Sequence, residues 1–195
     1  MVPLGRVRFL SKEESMLRGA VVPVAPAAPR DWQESLLQLD IALHTGMRKG
    51  EQFNLTWDQV DFANRMIHLD ETKNGSGRYV RLNTVALAAM AELMRRRDRL
   101  GGPKDAPVFS IKDPSRWFDA ALERVGIEGV TWHTLRHTFA SRLVMRGVNL
   151  RTVQLLMGHK CISMTARYAH LAAHHKRAAV ELILPPWAKQ VQNGQ

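Results

Sequence analysis

A single cysteine, Cys161, leaves this chain without an internal disulfide and without a thiolate metal site. No apolar run approaches the roughly 18 residues of a membrane span. The first ten residues, Met1 to Leu10, are broken by Pro3, Gly5, Arg6 and Arg8 and lack the apolar core of a signal peptide. Secreted scaffolds, membrane proteins and zinc fingers are therefore disfavoured, and a cytoplasmic location is expected. Tyrosine is scarce, with only Tyr79 and Tyr168. Acid is missing from a long stretch: no Asp or Glu occurs between Thr131 and Val180.

What is present is globular and basic. The 195 residues are 45% hydrophobic and 24% charged, a balance that fits one domain. Lys plus Arg number 28 against 18 Asp plus Glu, for a net charge of +10. Such a surface expects a polyanion, most commonly nucleic acid. The acid-free window holds Arg136, Arg142, Arg146, Arg151, Lys160, Arg167, Lys176 and Arg177, together with six of the eight histidines. A solvated helical surface usually mixes both signs. A stretch of one sign points to a surface or pocket built around phosphate.

The patterning predicts a mainly helical domain with one small antiparallel sheet. Ser11-Lys12-Glu13-Glu14 has capping-box form and opens a first helix. Pro23, Pro26 and Pro29 make Val21–Arg30 a linker or extended loop. Asp31 caps a helix to about His44, Gly46 interrupts it, and a short helix follows to about Leu55. Met66–Leu69 and Tyr79–Leu82 read as two strands joined by the turn Thr72–Gly77. Further helices are expected over Thr84–Leu100 and Ser115–Val125. Another, from about Trp132 to Arg146, places Leu135, Phe139 and Leu143 at four-residue spacing. Asn149 caps the next, which Gly158 closes after Met157. Two more are expected over about Ile162–His170 and Ala172–Leu184, the last stopped by Pro185-Pro186. The lead-in is 1–10, the domain 11–184 and the tail 185–195.

Several residues suggest anion chemistry, although each alone has an ordinary use. His133 and Arg136, three apart on a helix, share a face beside an apolar stripe. A guanidinium at that boundary is costly unless it meets an anion; the pair also fits a plain helix surface. Arg48 lies between Gly46 and Gly50 at a loop-to-helix junction, with Glu51 placed to orient it. A local Arg–Glu pair would look the same. Lys73 in the hairpin turn reaches toward a groove or a phosphate, or is simply solvated. His159, after Gly158, is held in a loop or serves as a cap. Tyr168 near a helix end is packing, or a nucleophile if neighbouring cations and a histidine help remove its proton. His170, His174 and His175 have metal-compatible spacing, but with no acid or thiolate nearby and Lys176 and Arg177 beside them a solvated or DNA-facing helix is the better reading.

Taken in order, the motifs Thr45-Gly46-Met47-Arg48-Lys49-Gly50-Glu51, Thr72-Lys73, His133-Thr134-Leu135-Arg136-His137-Thr138-Phe139-Ala140, Leu156-Met157-Gly158-His159 and Tyr168 resemble the tyrosine recombinase (phage integrase) catalytic domain. The resemblance runs from about Phe9 to about Leu184. It implies Arg48 and Arg136 as the two catalytic arginines and Glu51 as the acid supporting the first. It implies Lys73 as general acid, His133 and His159 as the two histidine positions, and Tyr168 as nucleophile. Members usually carry an N-terminal DNA-clamping domain, whereas about ten residues precede the match here, which fits a fragment.

The implied activity is metal-independent DNA cleavage and rejoining through a 3′-phosphotyrosyl bond, with no cofactor, in a phage or other mobile element's integration and recombination. In that scheme His133 moves the tyrosine's proton and His159 bonds a phosphate oxygen. The partner is double-stranded DNA, which would bring the protein to the nucleoid. Self-association as a tetramer on DNA would use a C-terminal helix bearing Val180, Leu182, Ile183, Leu184 and Trp187. A type IB topoisomerase-like nicking-closing enzyme and a non-catalytic DNA-binding domain of the same fold are the alternatives.

Overall fold

The structure is a computed structural model that describes residues 7–10, 13–21, 32–70, 77–103, 105–172, 180 and 183. Its described elements, in chain order, are α1 (Glu13–Val21), α2 (Trp32–Thr45), α3 (Lys49–Phe53), a 3₁₀ turn (Trp57–Gln59), β1 (Val60–Asp61), β2 (Met66–Leu69), β3 (Arg78–Arg81) and α4 (Thr84–Arg99). There follow α5 (Ser115–Arg124), α6 (Trp132–Met145), α7 (Leu150–Met157), α8 (Ser163–Ala166) and a second 3₁₀ turn (Ala169–Ala172). The mainly helical class with a small antiparallel sheet is as expected. The sheet has three strands in the order β1-β2-β3 rather than two. The extra strand is two residues long, too short to carry an alternating pattern.

Helix starts follow local chemistry. Asn83 Oδ1 accepts from the Ala86 amide at 3.0 Å, and Asn149 Oδ1 accepts from the Thr152 amide at 2.8 Å. These bonds satisfy orphan N–H groups at the first turns of α4 and α7. The expected caps at Ser11 and Asp31 lie outside the described residues, as do 72–76 of the expected Thr72–Gly77 turn and most of the last expected helix.

Helix α2 is the central element, with Leu39, Ile41, Ala42 and Leu43 each no more than 1% exposed. It packs against α4 and α6. Aromatic rings fill the space beneath: Trp132 meets Phe53 and Phe118 at centroid distances of 5.2 Å each. A second apolar cluster joins Ala140 and Val144 of α6, Val153 and Met157 of α7, and the ring of Tyr168. On α6 the fully buried apolar positions are Leu135, Ala140 and Val144, while Phe139 and Leu143 pack partly buried at its edge.

One expected helix is divided. Instead of a single run over 162–170, α8 ends at Ala166 and a 3₁₀ turn begins at Ala169. The Tyr168 amide donates to Thr165 O at 3.0 Å and the Leu171 amide to Tyr168 O at 2.9 Å. Three-residue bonding stacks positions i and i+3. Tyr168 and Leu171 thereby both reach the α6–α7 cluster.

Candidate active site

Helix α6 supplies one wall. Its start is fixed by Thr131 and Thr134, whose side chain accepts from the Thr131 amide at 3.0 Å. His133, Arg136, His137, Ala140 and Val144 follow at helical spacing, so the cationic and imidazole groups continue the stripe that packs on α7. Arg136 is only 3% exposed. Its Nη1 donates to Gly46 O, and its Nη2 donates to Met157 O at 2.5 Å. Both carbonyls lie at helix C-termini, where backbone oxygens lack intrahelical partners and carry partial negative charge. Two helix ends thus hold one buried guanidinium. Burial, with Arg48 and Arg78 nearby, lowers its pKa to about 10, which leaves it charged at neutral pH.

Helix α7 ends in a Schellman turn. Gly158 adopts φ +60°, its amide donates to Leu155 O at 3.1 Å, and the His159 amide donates to Gln154 O at 3.1 Å. A Cβ on Gly158 would also stand 2.5 Å from Cδ of Arg78. The turn fixes the backbone of His159, and its Nδ1 sits 2.9 Å from the Thr165 hydroxyl.

Glu51 is the hub of the opposite wall. One carboxylate oxygen accepts from the Arg48 amide at 2.8 Å, capping α3. The other meets Arg48 Nη1 at 2.5 Å, and Arg78 Nη2 reaches Glu51 at 2.9 Å. Arg48 Nη2 also donates to Gly158 O at 3.1 Å, and Arg78 Nη1 to Leu156 O at 2.9 Å. Burial alone would raise the Glu51 carboxyl; Arg78 and Arg48 overcome it and hold the pKa below the ordinary value.

Arg48, His133, Arg136, His137, His159, Met164, Arg167 and Tyr168 line one cleft of about 220 Å³. Of the expected site residues, the structure brings together Arg48, His133, Arg136, His159 and Tyr168, with Glu51 behind Arg48. Lys73 lies outside the described residues, between β2 and β3 in the sequence. Tyr168 forms part of the cleft yet is 0% exposed. Its hydroxyl lies 2.5 Å from Nδ1 of His137. Burial raises its pKa, opposed in part by Arg167 and Arg136, so the phenol is neutral at physiological pH.

The three cleft histidines are shifted down. Burial is the main cause, followed by charged neighbours: Arg136, Arg167 and Arg48 for His133, and Arg136, Arg48 and Arg167 for His159. For His137 the neighbours are His133, Arg167 and Arg136. His137 and His159 fall to about 4. Neutral imidazoles each offer one donor and one acceptor. Among the described residues, no three His, Cys, Asp or Glu side chains gather as a metal site.

Two residues of this cluster escape the sequence reading. His137 stands inside the quoted motif but looks like a neighbour of Arg136 until the Tyr168 hydroxyl is seen beside it. Arg78 is more legible in hindsight. The register pairs Leu69 with Arg78 and Ile67 with Val80, so Arg78 shares the inward face of β3 with buried Val80.

A cleft with one buried and two exposed guanidinium groups, neutral imidazoles and a phenol can grip a phosphodiester and offer it an oxygen nucleophile. The comparisons agree with that chemistry. The model of the phage integrase family matches residues 24–175. The shufflon-specific DNA recombinase of Escherichia coli is 34% identical over 134 residues, covering 68% of this chain and 34% of that protein. The tyrosine recombinase XerA of Saccharolobus solfataricus is 34% identical over 137 residues, covering 69% of this chain and 45% of that protein. This chain thus spans between a third and a half of the curated relatives it matches. Among solved structures, the catalytic domain of bacteriophage HP1 integrase superposes with a TM-score of 0.69 at 29% identity, covering 91% of this chain and 95% of that one. Matched by the family model over most of its length and by a solved catalytic domain over nearly all of it, the chain belongs to the phage integrase, or tyrosine recombinase, family and has the fold of that catalytic domain.

Proposed function

We propose that this chain is the catalytic domain of a site-specific DNA recombinase that cuts and rejoins DNA through a phosphotyrosyl intermediate. The single observation that carries the reading is the convergence of Arg48, His133, Arg136, His159 and Tyr168 on one cleft. Arg48 and Arg136 bond the non-bridging oxygens of the scissile phosphate with paired N–H groups. They stabilise the charge that grows as phosphorus becomes pentavalent. One such donor is worth about 2.7–4 kcal/mol in comparable acyl-transfer sites. His159 adds a hydrogen bond to a phosphate oxygen, and His133 stands beside it on the α6 wall. Tyr168 attacks phosphorus and Lys73 protonates the departing 5′-oxygen. The phosphotyrosyl ester conserves the energy of the broken bond, so a 5′-hydroxyl from a second DNA can reverse the step. Because Tyr168 is closed off in the DNA-free state, attack requires residues 163–172 to shift and bare its hydroxyl.

Double-stranded DNA is the partner we infer from the +10 charge and the acid-free window. The E. coli relative is named a DNA recombinase. Residues 11–184 form the catalytic domain in this reading, with the C-terminal segment joining protomers into a tetramer on DNA.

The test is trapping on a nicked suicide duplex carrying the DNA junctions that flank the encoding element. Wild-type protein gives a covalent protein–DNA band that EDTA does not remove. Tyr168→Phe gives none yet binds the duplex with equal affinity, and that affinity falls steeply with salt. A band surviving in Tyr168→Phe refutes the assignment. Strand joining between two different duplexes separates a recombinase from a nicking-closing enzyme.

A further inference from the structure

The Tyr168 hydroxyl sits 2.5 Å from Nδ1 of His137, a residue to which the catalytic scheme above gives no role. His133 lies one helical turn earlier, with its ring centroid 4.6 Å from that of His137 in an edge-on arrangement. Of the two imidazoles, the one bonded to the phenol is His137. We propose that His137 is the catalytic base that takes the proton of Tyr168 during strand cleavage and returns it during rejoining. This rests on the recombinase reading.

The geometry places donor and acceptor within reach. In the DNA-free state the ring of Tyr168 is anchored among Ala140, Val144, Val153 and Met157 with its oxygen on His137, and the proposal requires that the shift baring the hydroxyl leave that oxygen within reach of His137. Arg136 lines the same cleft and acts electrostatically on the Tyr168 phenol, so the oxygen that loses its proton lies in the field of the guanidinium that grips the phosphate. The environment keeps the imidazole neutral at physiological pH, and a neutral ring with Nδ1 unprotonated is an acceptor. The same surroundings make the resulting imidazolium a stronger acid than an ordinary one, suited to returning the proton when the phenolate leaves.

The step balances. The phenolic oxygen forms a bond to phosphorus as its O–H bond breaks, and that proton passes to Nδ1 of His137. The bond from phosphorus to the 5′-oxygen breaks, and that oxygen takes a proton from Lys73. The diester carries one negative charge before and after the step, and the extra charge of the pentavalent state between them is what Arg48 and Arg136 offset. Rejoining runs backward: the incoming 5′-hydroxyl gives its proton to Lys73, and the departing phenolate takes one from His137. His133 remains free to donate to the phosphate.

Two measurements test the assignment. The first is ¹⁵N NMR of the imidazoles in the full chain, with His137 assigned by its loss in His137→Asn. The expected result is an unprotonated, hydrogen-bonded Nδ1 whose signal moves in Tyr168→Phe. A protonated Nδ1 donating to the phenol overturns the proposal.

The second is the rate of covalent adduct formation on the suicide duplex, with an ordinary 5′-oxygen or with sulfur in that bridging position. A thiolate leaves without a proton, so sulfur rescues loss of the general acid but not loss of the base. Asn places a polar atom near the position of Nδ1 but cannot accept the proton. His137→Asn is expected to slow cleavage about 10²–10⁴-fold on both duplexes, with duplex affinity unchanged, whereas Lys73→Ala recovers on the sulfur duplex. His137→Asn cleaving at the wild-type rate, or faster because a latch on Tyr168 has been released, overturns the proposal alone. Absence of any adduct with wild-type protein overturns the recombinase reading, and this assignment with it.

Discussion

Replacing Glu51 with Gln removes one charge and almost no volume, and its consequences can be worked out from the geometry. Glu51 is the carboxylate partner of Arg78 at 2.9 Å and of Arg48 at 2.5 Å. The Arg78 and Glu51 side chains are only 14% and 13% exposed, whereas that of Arg48 is 45% exposed. Removing one partner from a buried pair costs about 3–5 kcal/mol, while an exposed pair contributes about 0–1. Gln retains an oxygen for the Arg48 amide, so the low end applies, about 3 kcal/mol. In a chain of this size that corresponds to a fall in Tm of about 6–12 °C. The variant leaves Arg48 and Arg136 on the cleft, and Arg78 behind Arg48, without the Glu51 counter-charge. Added inorganic phosphate should therefore raise the Tm of Glu51→Gln more than that of the wild type, because the anion replaces the lost carboxylate.

The acid side gives an independent check on the same carboxylate. A carboxyl whose folded pKa is depressed contributes stability that is present above its unfolded value of about 4.5 and is lost as pH falls through the folded one. The gap between wild type and variant should therefore narrow below that pH. Thermal melts across pH and phosphate concentration read all three effects. Equal melting of the two proteins at neutral pH would refute the hub assignment, as would identical phosphate shifts.

Other expectations follow from the same site. Gly158→Ala forces a Cβ into φ +60° and against Arg78, and strain alone costs about 1–2 kcal/mol; melts should show the loss, and trapping assays a slower adduct because His159 is displaced. His137 and His159 are neutral in the fold down to about 4 but protonate near 6.5 when unfolded, so their stabilisation is complete above 6.5 and is lost as pH falls toward 4. The Tm should decline across that window, and the decline should be shallower in His159→Asn. Arg136→Lys retains charge but cannot bridge Gly46 O and Met157 O together. It should slow adduct formation about 10²–10³-fold, with weaker thermal stability.

The sequence by itself determined the local pieces. Asn149 marked a helix start, Gly158 marked a stop, and the order of motifs from Arg48 to Tyr168 marked the family. These signals are legible because caps, turns and spacing act within a few residues. The sequence pattern did not show the short strand Val60–Asp61 or the break between α8 and the 3₁₀ turn. The break follows from Tyr168 and Leu171 reaching a core built by α6 and α7. Tertiary structure alone decided the partners. Arg136 finds Gly46 O and Met157 O, 90 and 21 residues away, and Arg78 finds Glu51 across 27 residues. His137 meets Tyr168 only because the second apolar cluster turns that ring toward α6. A one-dimensional pattern states which face a side chain takes on its own helix or strand. What waits opposite depends on how the elements pack, and burial there sets which groups are charged.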